Sequence, residues 1–156
     1  MVTDNLIEFL YSKEYGNLDR LLSPDVINQV DSDGRSLLVH AVLDTNADSE
    51  LVEFLLMKGA DPNLQDKEQK WTPLHFAARD QKLSIVKLLL QYGADIDRVD
   101  TFGNTPLWRC IMAPNVNAEV VHFLIENGAD LNKKNTHGKS PLDISNAKGR
   151  SDLISS

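Results

Sequence analysis

The amino-acid sequence predicts an all-α chain, a solenoid of helix-turn-helix units separated by finger-like turns. Two kinds of landmark predict it. The triplet Gly-Ala-Asp begins at Gly59, Gly93 and Gly128, with spacings of 34 and 35 residues. A hydroxyl residue followed by Pro-Leu begins at Thr72, Thr105 and Ser140. Because two landmarks alternate with one period, we expect each period to be one structural unit stacked on the next.

An apolar stripe with helical spacing precedes each Gly-Ala-Asp triplet. The stripes lie in residues 51–56, 83–90 and 120–125, where leucine, isoleucine, valine and phenylalanine recur at i, i+3 and i+4. The glycine that follows suits the left-handed position after the last helical turn. Each stripe is therefore predicted to be the second helix of a unit.

The hydroxyl-Pro-Leu motifs predict the first helices, with a weaker start at Ser36. A serine or threonine side chain caps free amides at a helix N-terminus, and proline at the first position gives up only an amide that has no partner. Tight turns are predicted before three of these helices, where Gly34, Gly103 and Gly138 permit a positive φ.

This order of turn, capped helix, second helix and Gly-Ala-Asp, repeating about every 33 residues, resembles the ankyrin repeat. Thr72 to Ala77 carries the complete T-P-L-H-x-A pattern of that family. The resemblance implies a single ankyrin-repeat domain over residues 1–156, with repeats at 31–65, 66–99 and 100–134. Atypical units at 1–30 and 135–156 are expected to cap the two ends of the stack.

Three departures from the repeat predict local differences. The turn at residues 66–71 has no glycine and one residue more than the other fingers, so a longer or differently shaped finger is expected. Two extra residues between helices are expected around 45–48 and again around 114–117. Surface turns absorb such insertions at small entropic cost, so the stack should continue through them.

Composition narrows the class of partner. Residues 1–66 carry 13 acidic and 4 basic side chains, and residues 67–156 carry 10 and 12. The negative half disfavours nucleic acid and anionic membranes and favours a basic partner. A single cysteine, Cys110, and an N-terminus without a basic or long apolar segment predict a cytoplasmic protein with no signal peptide and no membrane span.

No catalytic or metal-binding arrangement is apparent, so we expect no enzyme activity, no cofactor and no metal. The histidines fall at unrelated repeat positions, and Cys110 aligns with small packed residues, which predicts a buried thiol. The family resemblance gives His75 a structural role, with its ring bound to a neighbouring loop and to the capping hydroxyl.

The resemblance also assigns a partner-binding face to the fingers and the exposed side of the first helices. Within the first repeat this face comprises Ser32, Asp33, Arg35, Leu43 and Asp44. In the next repeat it comprises Lys67, Glu68, Lys70, Trp71, Phe76, Arg79 and Asp80. The C-terminal part comprises Thr101, Phe102, Asn104, Arg109, Met112, His137 and Lys139.

Two aromatic residues in this set call for an explanation. Trp71 and Phe102 occupy finger positions that the fold leaves to small polar residues. They are either anchors for a partner, since aromatics dominate interface energetics, or covers that stack on a neighbouring finger. Trp108 replaces the histidine of the tetrapeptide, and a partly buried structural role is expected for it.

The sequence therefore predicts a non-catalytic protein-binding module that is a monomer when free. Small ankyrin-repeat proteins of this kind are similar to immunity proteins that neutralise a toxin and to kinase inhibitors, which favours an inhibitor of a basic toxin or enzyme. The alternative is a scaffold that joins two partners, which would need a second exposed patch, for example at Tyr11 and Tyr15. An enzyme is the third and least favoured interpretation.

Overall fold

The computed structural model describes residues 4–12, 15–45 and 49–154, and these residues are helical apart from their turns. In the described ranges the helices are α1 (Asp4–Tyr11), α2 (Tyr15–Leu21), α3 (Leu37–Leu43), α4 (Ser49–Met57), α5 (Pro73–Arg79), α6 (Leu83–Gln91), α7 (Pro106–Met112), α8 (Ala118–Glu126) and α9 (Pro141–Ala147). A 3₁₀ turn at Ser151–Leu153 follows. The prediction of an all-α fold is confirmed. In the same ranges, no helix has the length and apolar content needed to cross a membrane.

The helices form two parallel rows. The first helices α3, α5, α7 and α9 pack successively on one another, and the second helices α4, α6 and α8 pack in a second row beside them. At the N-terminal end, α1 contacts both α2 and α3. Each unit therefore touches mainly its neighbours, as the repeat period predicts.

The core follows the apolar stripes of both rows. Leu55, Leu89 and Leu124 from the second helices are fully buried, as are Leu74 and Leu107 from the first helices. Neither helix of a unit could bury its stripe alone, because each helix is only seven to nine residues long. Stacking of the units supplies most of the helical stability.

The predicted helix ends are confirmed. The hydroxyl groups of Ser36, Thr72, Thr105 and Ser140 each accept a hydrogen bond from the amide three residues later. The glycine of each Gly-Ala-Asp triplet has φ between 87° and 96°. These values lie in the left-handed region that favours glycine.

The fingers share one hydrogen-bonding pattern with one exception. Asp31, Asp100 and Asn135 each accept, through Oδ1, hydrogen bonds from the amides two and four residues later. Asp66 accepts from the amides three and five residues later, at 3.0 Å each. The finger at 66–71 is therefore longer by one residue, as predicted, and Lys70 takes the positive φ, 58°, that glycine has in the other fingers.

Backbone hydrogen bonds join successive fingers into a row. The amides of Lys67, Thr101 and Thr136 donate to carbonyls of the preceding finger, at Asp33, Gln69 and Phe102, over 2.9 Å in each case. Because each finger is hydrogen-bonded to the next, the fingers form one continuous surface.

A second set of ties links the turns after the second helices. Asn63 accepts from the Asp95 amide at 2.7 Å and donates to the Gly93 carbonyl at 3.0 Å, and Asn28 makes the equivalent pair of bonds one unit earlier. Asp97 holds this position in the next unit, and its carboxylate can only accept, from the Asp130 amide. Burial, the largest influence, raises the pKa of Asp97.

The longer interhelix turn of the fourth unit is also confirmed. Five residues, 113–117, separate α7 from α8, whereas three separate α5 from α6. Neighbouring units bind this turn: Arg150 donates to the Ala113 carbonyl at 2.9 Å, and the Asn117 amide donates to Gln81 Oε1 at 2.8 Å. The corresponding turn of the second unit includes residues 46–48, which lie outside the described residues.

Candidate functional site

Of the two roles predicted for Trp71, its position contradicts an exposed anchor on a finger and favours a packed, structural ring. Only 4% of Trp71 is exposed, and its ring packs 5.0 Å from the Phe76 ring, centre to centre. The extra finger residue precedes Lys70, so Trp71 occupies the last finger position, directly before the helix cap Thr72. Asn104 holds the same position before Thr105 and is also buried, at 3% exposure.

Two arginines cover the Trp71 ring. The guanidinium carbon of Arg79 lies 5.1 Å from the ring centre, and that of Arg109, from the next unit, lies 4.8 Å from it. Each guanidinium also pairs with a carboxylate: Arg79 Nε donates to Asp80 at 2.6 Å, and Arg109 Nε donates to Asp100 at 2.9 Å. This cluster fixes both arginines, and cation–π contacts of this kind add stability at partly buried sites.

The Arg109–Asp100 pair is the more protected of the two. The Asp100 side chain is fully buried, and 19% of the Arg109 side chain is exposed. Burial alone would raise the pKa of Asp100, but the hydrogen bonds from Arg109 and from the Asn104 amide outweigh it and lower that pKa. The ion pair therefore stays charged and joins a finger to a first helix.

An open groove of about 370 Å³ lies beside this cluster, between the last three fingers and α7. We call it the finger groove. Its lining residues are Gln69, Phe102, Asn104, Trp108, Arg109, Asn135, His137 and Lys139. Phe102 is 49% exposed at the tip of its finger, so it projects a large apolar surface at the groove.

The finger groove brings together only part of the predicted face. Five of the predicted residues line it: Phe102, Asn104, Arg109, His137 and Lys139. The other predicted residues Asp33, Arg35, Leu43, Asp44, Glu68, Lys70, Arg79, Asp80 and Met112 do not line the groove. Trp71 and Phe76 belong to the core. Whether any of these residues contacts a partner stays a prediction.

Three residues that line the groove are absent from the predicted binding face. Gln69 holds the tip position of the lengthened finger, and Asn135 begins the last finger and donates to Asn104 Oδ1 at 2.8 Å. Trp108 was assigned a partly buried structural role, and the structure shows it half-buried in the groove wall, with the Arg109 guanidinium 5.3 Å from its ring centre. A signal for Trp108 was present, since a large ring replaces the histidine of its motif.

His75 and Cys110 are sealed inside the stack, as predicted. His75 Nε2 donates to the Asn104 carbonyl at 3.1 Å, and Nδ1 accepts from the Thr72 amide at 3.2 Å. Burial, the largest influence, lowers the pKa of His75 to about 4. Burial also raises the pKa of the Cys110 thiol to about 12, so this thiol is not a nucleophile at neutral pH.

A second, smaller groove of about 270 Å³ lies on the row of second helices, between α6 and α8. Its lining residues are Leu83, Lys87, Glu119, His122, Phe123 and Glu126. Among residues 4–12, 15–45 and 49–154, no group of three or more histidine, cysteine or carboxylate side chains is placed to hold a metal ion.

Comparison with known proteins matches this chain to ankyrin repeats, in three copies, over residues 4–100 and 38–135. A putative ankyrin repeat protein of Rickettsia felis is 46% identical over 69 residues, which is 41% of this chain and 30% of that protein. The ARF GTPase-activating protein Git of Drosophila melanogaster is 34% identical over 64% of this chain and 14% of its own length.

The human 2-5A-dependent ribonuclease is 42% identical over 51% of this chain and 10% of its own length. The matched segments thus cover 10 to 30% of these three relatives. Because the family match spans most of the chain, and the caps, fingers and helix rows agree with it, this chain belongs to the ankyrin-repeat family, whose repeats generally mediate protein–protein interaction.

Proposed function

We propose that this chain binds one protein partner through its fingers and first helices and inhibits that partner by covering part of its surface. The observation that carries this proposal is the exposed Phe102 ring at the rim of the finger groove. Aromatic residues beside a pocket are typical anchors of protein interfaces.

The fold itself gives no reason for an aromatic side chain at Phe102. The same tip position is Asp33, Gln69 and His137 in the other fingers, and all three are polar and exposed. The Phe102 backbone makes the ties that the finger needs, since its amide donates to Asp100 and its carbonyl accepts from Thr136. The exposed ring is therefore available for a partner.

Rigidity supports the same function. The finger row is held by backbone hydrogen bonds of 2.9 Å, and the Arg109–Asp100 ion pair fixes one wall of the groove. A preorganised surface loses little conformational entropy on association, which favours tight binding for a given contact area. Blocking a partner's surface requires this property and no chemistry.

The groups that chemistry would use support a non-catalytic role. His75 and Cys110 are both buried, and their pKa shifts leave the imidazole neutral and the thiol protonated at neutral pH. The groove is open to water, whereas acid–base catalysis favours a site that excludes water. A single buried thiol also suits the reducing cytoplasm.

The charge distribution suggests where a basic partner would sit. Residues 1–66 carry a net charge of −9 and residues 67–156 a net charge of +2. A basic surface of a toxin or enzyme would therefore face the fingers of the N-terminal half, where Asp33 is exposed beside Arg35. Such long-range charge complementarity mainly accelerates association and excludes wrong partners.

The test uses Phe102→Ala with Met57→Ala as its matched control. Met57 is 70% exposed and lies at the end of α4, in the other helix row, so the control also removes an exposed apolar side chain. Partners are captured from a native lysate, identified by mass spectrometry, and titrated calorimetrically. We expect one partner whose affinity falls at least tenfold with Phe102→Ala and stays unchanged with Met57→Ala, as for an interface anchor. Equal affinity in all three proteins would reject this face.

A scaffold is the second candidate, because the groove between α6 and α8 offers another concave surface. Tyr11 is also 48% exposed, whereas the side chain of Tyr15 lies outside the described residues. A scaffold would bind two different proteins at once, one of which survives Phe102→Ala and is lost with Phe123→Ala. Native mass spectrometry of the complex distinguishes one bound partner, expected for an inhibitor that is a monomer when free, from two.

A further inference from the structure

We infer that the finger groove receives a short segment of the partner in which an aspartate or glutamate stands beside an aromatic or aliphatic side chain. This inference rests on the proposed function and specifies the chemistry of its contact. The N-terminal fingers and the finger groove would then meet opposite charges on the same partner.

The ionisable side chains of the groove lining are cationic or basic: Arg109, His137 and Lys139. The lining residues include no carboxylate, although the chain as a whole is acidic. Asp100, which pairs with Arg109 in this wall, has a fully buried side chain. Asp143 at the start of α9 is an exposed carboxylate that interacts electrostatically with Lys139, but it is not among the lining residues. An incoming carboxylate would thus meet exposed Lys139 and His137 without an opposing surface charge in the groove.

Hydrogen-bonding capacity points the same way. The two asparagines that line the groove already use their acceptor oxygens: Asn104 Oδ1 accepts from Asn135 at 2.8 Å, and Asn135 Oδ1 accepts from the amides of His137 and Lys139 at 3.0 Å. The charged side chains that remain at the surface are donors. A carboxylate offers only acceptors when ionised, so it complements this wall better than a lysine or arginine would.

The apolar part of the segment is determined by Phe102 and Trp108. Phe102 is 49% exposed and Trp108 is half-buried in the same groove, so both rings can contact an apolar side chain. A volume of about 370 Å³ is at the small end of the range for ligand sites, roughly 300–1,000 Å³. It suits two neighbouring side chains of an extended segment.

The test selects peptides from a random dodecapeptide display library on the immobilised full chain. Wild type should enrich peptides that place Asp or Glu next to Phe, Tyr, Trp, Leu or Ile. Selected peptides are then synthesised with their acidic residue as Glu or Lys, and their affinities are measured by fluorescence anisotropy. The Lys peptides should bind at least tenfold more weakly than the Glu peptides.

Charge-reversed variants locate the contact. Lys139→Glu should weaken binding of the Glu peptide by roughly three- to tenfold and improve binding of the Lys peptide, since an exposed ion pair is replaced by repulsion. Lys148→Glu makes the same charge change at an exposed residue outside the groove and should leave both affinities unchanged. Circular dichroism confirms that each variant is folded.

Three results would overturn the inference: no enriched peptide, enrichment of basic or purely polar peptides, or equal responses to Lys139→Glu and Lys148→Glu. These results leave the proposed function intact if the captured protein partner is still lost with Phe102→Ala. Conversely, a partner that is insensitive to Phe102→Ala rejects the proposed function even if acidic peptides bind the groove.

Discussion

Acidification should weaken this fold through His75. Its imidazole donates from Nε2 to the Asn104 carbonyl of the next unit and accepts at Nδ1 from the Thr72 amide of its own helix cap. A second proton on the ring would turn Nδ1 into a donor that faces a donor. Protonation in the folded state therefore breaks the bond from the Thr72 amide, leaves Nδ1 only the Thr72 hydroxyl at 2.9 Å as an acceptor, and places a charge in the core.

The magnitude follows from the difference in pKa between the two states. Burial lowers the pKa of His75 from 6.5 to about 4 in the folded chain. The unfolded state therefore binds more protons between those values, so the free energy of unfolding falls as pH decreases through this window. Relative to its value above pH 7, the contribution of His75 to the free energy of unfolding is smaller by about 1.4 kcal/mol at pH 5.5 and by about 2.6 kcal/mol at pH 4.5.

Urea denaturation at a series of pH values from 7.5 to 4.5 measures this loss. Other groups also titrate in this range, so the informative quantity is the difference between wild type and His75→Gln. The His75→Gln variant should be less stable than wild type at pH 7.5 by about 1–3 kcal/mol, because buried hydrogen bonds are lost. The variant has no group at this position that gains a proton as pH falls. The two stability curves should therefore converge as pH falls.

His137→Gln is the matched control, because it removes an exposed imidazole on a finger. This variant should retain the decrease that His75 produces. Parallel curves for wild type and His75→Gln from pH 7.5 to 4.5 would refute the reasoning, since they would mean that the buried ring does not titrate differently in the two states.

Three further predictions concern the ties between units and the burial of Cys110. Asp97→Asn should raise the free energy of unfolding by about 1 kcal/mol at pH 7, measured by urea denaturation. The new amide can donate to the Gly128 carbonyl as Asn63 donates to the Gly93 carbonyl. An unchanged urea midpoint would count against this prediction. Gly34→Ala should lower the free energy of unfolding by about 1–3 kcal/mol, and by more than Gly59→Ala does. A Cβ on Gly34 would lie 2.8 Å from the Lys67 backbone nitrogen, whereas a Cβ on Gly59 would have no atom within 4 Å. Equal losses of the two variants in thermal unfolding would contradict this. Cys110 should react with a thiol reagent only after unfolding in urea, and reaction at the same rate in the native protein would show that it is accessible.

Much of the fold could be predicted because its determinants are local. The N-terminal cap at Thr72-Pro73 and the glycine after the last helical turn at Gly93 each act on residues within one helical turn. Helix ends of this kind can therefore be placed from the sequence alone. The lengthened finger at 66–71 could also be predicted, because one extra residue is countable against the other fingers. Repetition then fixes the arrangement, since each unit meets the same neighbour.

The burial of Trp71 could not be predicted in the same way. Counting shows that the finger has an extra residue but not where the backbone accommodates it, and the structure places the adjustment at Lys70. Trp71 is also covered by Arg109, which lies 38 positions further along the sequence. The comparison that would have helped is with Asn104, which precedes its cap in the same way and is buried as well.

The finger groove depends even more on packing between units. Its walls come from three fingers and one helix, so no short segment of sequence contains it. Residues judged one at a time, such as Gln69 and Asn135, carry no signal of their own. They become part of a site only because backbone hydrogen bonds of 2.9 Å hold neighbouring fingers side by side.

Arg109 connects the stability of the stack with the proposed binding face. Its guanidinium pairs with buried Asp100, covers the Trp71 ring at 4.8 Å, and lines the finger groove. Replacing it would leave a buried carboxylate unpaired, which destabilises proteins strongly, so a loss of binding in that variant would not separate contact from unfolding. Phe102 has no such structural role beyond its backbone, so its side chain is the part of this face whose removal tests recognition without disturbing the stack.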